Sequence, residues 1–146
     1  MNVQLLEINR DNWEQVIALK VHDEQSNFIA SNLYSLVQVK YQTECKPLAI
    51  YDDCLLVGFL MYVIPTAEQN DYWIYRLMID KNHQQKGYGK IAMQQIIDMI
   101  KQDKDYNKLY ISFEPSNYVA KTLYERLGFV STDEIDGGEI IYVLNY

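Results

Sequence analysis

Histidine and cysteine are scarce in this 146-residue chain, with two of each. His22 and His83 have no metal-ligand spacing, and Cys45 and Cys54 complete no ligand set, so no metal centre is expected. Two cysteines also make no disulfide framework, and a reducing, cytoplasmic setting is expected. Only six glycines and three prolines are present, which excludes linker-like and low-complexity architectures. No apolar run reaches the ~20 residues of a membrane helix. The longest, Leu55–Ile64, is interrupted by Gly58. Met1-Asn2-Val3-Gln4 has neither a basic nor a long apolar region, so no signal peptide is expected. Basic residues are in deficit, 13 against 20 acidic, giving a net charge of −7. Nucleic-acid binding needs Lys and Arg to neutralise phosphates, so that class is disfavoured. An acidic surface instead concentrates cations, including cationic substrates. No Ser-His-Asp constellation is readable.

What is present is the composition of a folded protein, 49% hydrophobic and 23% charged. The length suits a single domain spanning residues 1–146. Strands are predicted over Val3–Ile8, Leu48–Tyr51, Leu55–Ile64, Tyr72–Ile79, Leu109–Phe113, Phe129–Thr132 and Ile140–Tyr146. Helices are predicted from Asn9 or Asp11 to Lys20, over Leu33–Tyr41, over Gly89–Gln102 and over Asn117–Leu127. Pro47 is expected to close the region before the second strand, and Cys54 to be a small core residue. The fold class is mixed α/β: an antiparallel meander, then a β-α-β unit.

The most informative segment is Gln84-Gln85-Lys86-Gly87-Tyr88-Gly89-Lys90, between a predicted strand and a predicted helix. Glycines there let the backbone approach a ligand closely. The helix that follows starts with N–H groups lacking intrahelical partners, at the positive end of its dipole. Those features suit a phosphate or pyrophosphate, and Lys86 and Lys90 add positive charge. Gly87-x-Gly89-x-x-Ala92 also reads as a dinucleotide fingerprint. That alternative requires the turn to follow the first strand of its unit and an acid at the end of the next strand. Asp103 and Asp105 fall before that strand, which argues against it.

Downstream, Asn117-x-x-Ala120-x-x-Leu123-Tyr124-x-x-x-Gly128-Phe129 places Asn117, Ala120, Lys121 and Tyr124 near one helix face. For a lone Tyr, a core role is the simpler reading. Together, in this order, the two motifs resemble those of the GCN5-related N-acetyltransferase (GNAT) family, over essentially the whole chain. The Gln25-x-x-Phe28-Ile29-Ala30-x-Asn32 and Val57-Gly58-Phe59-x-Met61-Tyr62 segments resemble its bacterial spermine/spermidine acetyltransferase branch. The resemblance implies a GNAT fold, a mostly antiparallel sheet with two splayed parallel strands and flanking helices. It implies acetyl-coenzyme A as co-substrate and a small-molecule amine as acceptor. A homodimer is a further expectation.

By the same resemblance, Gln84, Gln85, Lys86, Gly87, Tyr88, Gly89 and Lys90 would hold the pyrophosphate. Leu77, Met78 and Ile79 would pair with the pantetheine arm, Asn117 and Lys121 would contact the cofactor, and Tyr124 would protonate the departing sulfur. Related enzymes often carry a carboxylate where this chain has Tyr75, which leaves the base open. Glu24 and Glu114, with Tyr75, are the candidate acceptor-side residues. A non-catalytic coenzyme A-binding protein, or an acetyltransferase for another small amine, are the competing functions.

Overall fold

Seven strands and four helices follow from these patterns in a computed structural model that describes residues 1–146. In chain order they are β1 (Val3–Glu7), α1 (Trp13–Ala18), α2 (Asn32–Tyr41), β2 (Cys45–Asp52), β3 (Leu55–Val63), β4 (Tyr72–Ile79), α3 (Tyr88–Ile100), β5 (Lys108–Phe113), α4 (Tyr118–Arg126), β6 (Val130–Asp136) and β7 (Glu139–Asn145). Short 3-10 turns occupy Asp23–Gln25 and Lys81–His83. The strands form one sheet in the order β1-β2-β3-β4-β5-β7-β6. Only β4 and β5 run parallel; every other neighbouring pair is antiparallel. The mixed α/β class read from the sequence is the class observed.

Side chains alternate across the sheet, and the central strands β2, β3 and β4 feed two cores. In β3, Leu60 joins Ile74, Leu109 and the buried α3 stripe of Met93, Ile96, Ile97 and Ile100. Its neighbours Phe59 and Met61 point the other way, toward Val16 of α1. Each fully buried side chain of this size contributes about 1.5–3 kcal/mol. Helices α3 and α4 therefore hold one face, and α1 and α2 the other.

Two local expectations need correction. Pro47 lies inside β2 rather than before it. It pairs with Met61 of β3, while the β1 ladder reaches only Leu48, so beyond β1 the missing N–H faces no strand. Cys54 is exposed in the β2–β3 turn; Cys45 is the buried cysteine.

Candidate active site

The site begins where β4 leaves β5. Their parallel pairing covers Tyr72↔Leu109, Trp73↔Tyr110 and Ile74↔Ile111, then stops, although β4 continues to Ile79. On its other side β4 stays paired to β3, with a register shift that makes Tyr75 the extra, bulged residue. Such a bulge bends the strand and increases its twist, which opens the wedge. Gly58 holds the remaining ladder close: a Cβ there would sit 2.5 Å from the Met78 carbonyl oxygen.

Main-chain direction in the wedge follows from the ladder. The Asp80 N–H donates to the Val57 carbonyl (2.8 Å), so by alternation Met78 faces β3 while Leu77 and Ile79 face the open side. Met78 thus cannot offer its backbone to a ligand arm; its side chain still lines the cavity. The Ile79 carbonyl already accepts from Gln84 Nε2 at 3.0 Å. Leu77 is left with both polar groups available.

The turn after β4 is built as a cradle. Gln85 and Gly87 have φ values of 64° and 89°, which tilt successive amides to one side. The N–H groups of residues 84–90 have no backbone acceptor. A Cβ on Gly87 would project into open space, with nothing within 4 Å. Unfilled amides around a space that only glycine leaves clear fit a pyrophosphate. Gln84 serves this loop from behind: it exchanges hydrogen bonds with Gln25 at 2.9 and 3.2 Å, tying the loop to the turn before α2. The Tyr88 ring is buried and its hydroxyl donates to Asp52 at 2.6 Å, so only its backbone is available to the cradle.

From the wedge a cavity of about 1310 Å³ extends to the α2 side of the sheet. Gln84, Gln85, Gly87, Tyr88, Gly89, Lys90 and Asn117 line one end, and Tyr75, Arg76, Gln38 and Glu139 line it farther along. Asn117 caps α4, its Oδ1 accepting from the Ala120 N–H (3.2 Å), which leaves its Nδ2 for a ligand. Tyr75 donates its hydroxyl to Gln69 Oε1 (3.2 Å), and burial pushes its phenol above the ordinary value.

Several predicted residues sit elsewhere. Lys86, Lys121, Glu24, Glu114 and Tyr124 do not line the cavity. Glu24 points from the exposed 3-10 turn whose inner residue is Gln25. Glu114 follows β5 beyond Ser112, the residue of that strand end that lines the cavity. Tyr124 is only 6% exposed, and its ring packs between Phe113 (5.4 Å) and Phe129 (5.8 Å). Burial, and secondarily the charge of Glu139, push its phenol well above the ordinary value.

Among the charged residues that line the cavity, Arg76, Arg126, Asp136 and Glu139 were not singled out from the sequence. Glu139 Oε1 accepts from Ser112 Oγ at 2.8 Å, which fixes a carboxylate beside the wedge. Arg76 did leave a signal, as the lone charged residue in the otherwise uncharged segment Tyr72–Ile79. The acids left none, because turn residues flanking Gly137-Gly138 read as solvated.

Known proteins share this architecture and more. The model of the Acetyltransferase (GNAT) family matches residues 3–129. A spermine/spermidine N(1)-acetyltransferase of Bacillus subtilis (strain 168) is 30% identical over 149 residues, covering 98% of both chains. A PaiA N-acetyltransferase from Thermoplasma acidophilum, solved with coenzyme A, superposes with a TM-score of 0.75 at 19% identity, covering 100% of both chains. A spermidine N-acetyltransferase from Vibrio cholerae, solved with CoA and spermine, gives 0.76 at 17% identity over 99% of this chain and 95% of that one. These two structures share the fold; the family match and the Bacillus relative go further. The chain belongs to the GNAT acetyltransferase family and is an acetyl-coenzyme A-dependent N-acetyltransferase.

Proposed function

We propose that the acceptor is a polyamine, spermine or spermidine, acetylated on a primary amine. The observation that carries this reading is the 30% identity, across 98% of both chains, to a spermine/spermidine N(1)-acetyltransferase. Two features agree with it: the net charge of −7, and the carboxylates Asp136 and Glu139 on the cavity wall. The chain would work as one domain, in the cytoplasm, on a small molecule.

Acetyl-coenzyme A supplies an activated thioester. The amides of residues 85–90 hold its pyrophosphate, and Leu77 offers main-chain groups along the wedge, where an N–H can polarise the thioester carbonyl. Asn117 Nδ2 adds a donor near the α4 cap. An alkyl ammonium with a pKa of about 10.4 is under ~0.1% neutral at pH 7, so the amine must shed a proton first. Neither Glu24 nor Glu114 is placed for that step. Asp136 and Glu139 bind the cationic chain, and water carries the proton away. Tyr124, in the aromatic cluster behind the cavity lining, is the proposed proton donor to the sulfur.

The test is steady-state release of free thiol with spermine, spermidine and a simple monoamine, at low and physiological salt. Attraction of a polycation to an acidic protein is screened within about 8 Å at 0.15 M salt. Efficiency with spermine should therefore fall with salt several-fold more than with the monoamine. No turnover of spermine and spermidine, or equal salt dependence for all three, rejects the polyamine assignment.

A further inference from the structure

Arg76 is half-buried in the cavity wall; its hydrogen bonds go to no carboxylate, although the charge of Glu139 acts on it. A guanidinium has five N–H donors and no acceptor. In Arg76, Nη1 donates to the Tyr75 carbonyl at 3.0 Å and Nη2 to Gln38 Oε1 at 3.1 Å. Both acceptors are neutral. The Nε–H is sealed from solvent with no partner, and one hydrogen on each Nη has no protein acceptor. Partial burial pulls the Arg76 pKa below its ordinary value, and the negative charge of Glu139 is among the groups that offset this.

The arrangement is also rigid. Gln38 comes from α2 and is itself tied by its Nε2 to Gln42 Oε1 at 2.6 Å. Tyr75 is the bulge residue, and its ring lies 6.0 Å from the guanidinium carbon. Arg76 is therefore aimed at the wall of the same cavity that the wedge opens into. A protonated polyamine carries no acceptor for these donors. A carboxylate carries two oxygens in the geometry that the planar fork matches.

From this we infer that the enzyme also acetylates amines that bear a carboxylate, of the amino-acid or short-peptide type, with Arg76 binding the carboxylate. The reaction is the same one: the amine nitrogen forms a bond to the acetyl carbon and loses a proton, the C–S bond breaks, and the thiolate takes up a proton. The inference rests on the family's acetyl transfer in this cavity and is independent of the polyamine assignment.

Matched acceptors test it, because lysine differs from cadaverine, and ornithine from putrescine, only by a carboxylate. Charge-assisted hydrogen bonds of this kind correspond to about tenfold or more in binding. Wild-type kcat/KM should favour lysine over cadaverine, and ornithine over putrescine, by at least that factor. In Arg76→Gln the ratio should fall toward one. In Arg76→Lys, which keeps the charge and loses the fork, it should lie between. Wild-type enzyme that acetylates the diamines as well as the amino acids, or Arg76→Gln that lowers both members of a pair equally, overturns the inference and leaves Arg76 as a brace between α2 and β4. Should Arg76→Gln not fold, the wild-type ratios alone decide. Spermidine turnover without any amino-acid turnover sinks this inference and spares the polyamine assignment; the converse result does the opposite.

Discussion

Tyr124 has two demands on one side chain. Its ring fills the aromatic cluster with Phe113 and Phe129, and its hydroxyl has no hydrogen bond within the protein although it is not among the polar atoms sealed without a partner. Burial keeps the phenol protonated well beyond pH 10, so the donor form is intact across the working range. A thiolate is less basic than such a phenol, since an ordinary thiol titrates near 8.5. Transfer from this phenol to the thiolate is therefore uphill, so burial keeps the proton in place but counts against the acid role. Tyr124→Phe keeps the packing and removes the proton, and general acid catalysis is worth ~10²–10⁴ in rate. The kcat of that variant should drop by about that factor, with acetyl-coenzyme A affinity and melting temperature nearly unchanged. Retention of more than half the kcat would make Tyr124 a core residue only. The sequence put Tyr124 on one helix face with Asn117 and Ala120, which line the cavity as Tyr124 does not; which way its hydroxyl looks depends on Phe113 of β5 and on Phe129 just before β6, and no local pattern encodes that.

The active-site wedge is a property of whole elements. β4 is bent by the bulge at Tyr75, released by β5 after Ile74, and kept against β3 by the absence of a side chain at Gly58. The bounds of β4, Tyr72–Ile79, were legible because its residues are bulky and a polar turn follows. The bulge was not, since it depends on pairing with β3 across a loop. For the same reason the sequence offered Leu77, Met78 and Ile79 alike as main-chain partners, and only the ladder removes Met78. The start of α3 is anchored by the Tyr88–Asp52 hydrogen bond, which pulls the Asp52 carboxyl below its ordinary 3.8 and pushes the Tyr88 phenol above its ordinary 10. The depressed carboxyl adds stability that is fully present above pH 3.8 and is lost as pH falls through its lower folded value. The raised phenol adds stability that is present below pH 10 and is lost above it. Tyr88→Phe should thus unfold at lower urea than wild type at pH 7, and the gap should narrow as the pH drops below 3.8. A gap that is the same at pH 7 and in acid would mean that this bond does not anchor the helix.

Across the molecule, the order of elements was legible and the meeting of distant residues was not. Alternation and helical spacing gave the meander and the crossover, and the two motifs pointed to the cofactor end of the cavity. The cavity wall away from the cradle draws on β4, α2 and the β6–β7 hairpin, so Arg76, Gln38, Asp136 and Glu139 come to line one cavity only in the folded sheet. The excess of negative charge was visible from composition, whereas the half-buried positive charge of Arg76 in the cavity wall was not. At the cofactor end the whole assignment rests on the cradle of residues 84–90 against the wedge, and isothermal calorimetry with acetyl-coenzyme A tests it directly. Wild-type protein should bind, and Gly87→Val/Gly89→Val, shown to be folded by circular dichroism, should bind at least about tenfold more weakly, because side chains then fill the approach to the free amides. A folded double variant that keeps its affinity within twofold would contradict the account.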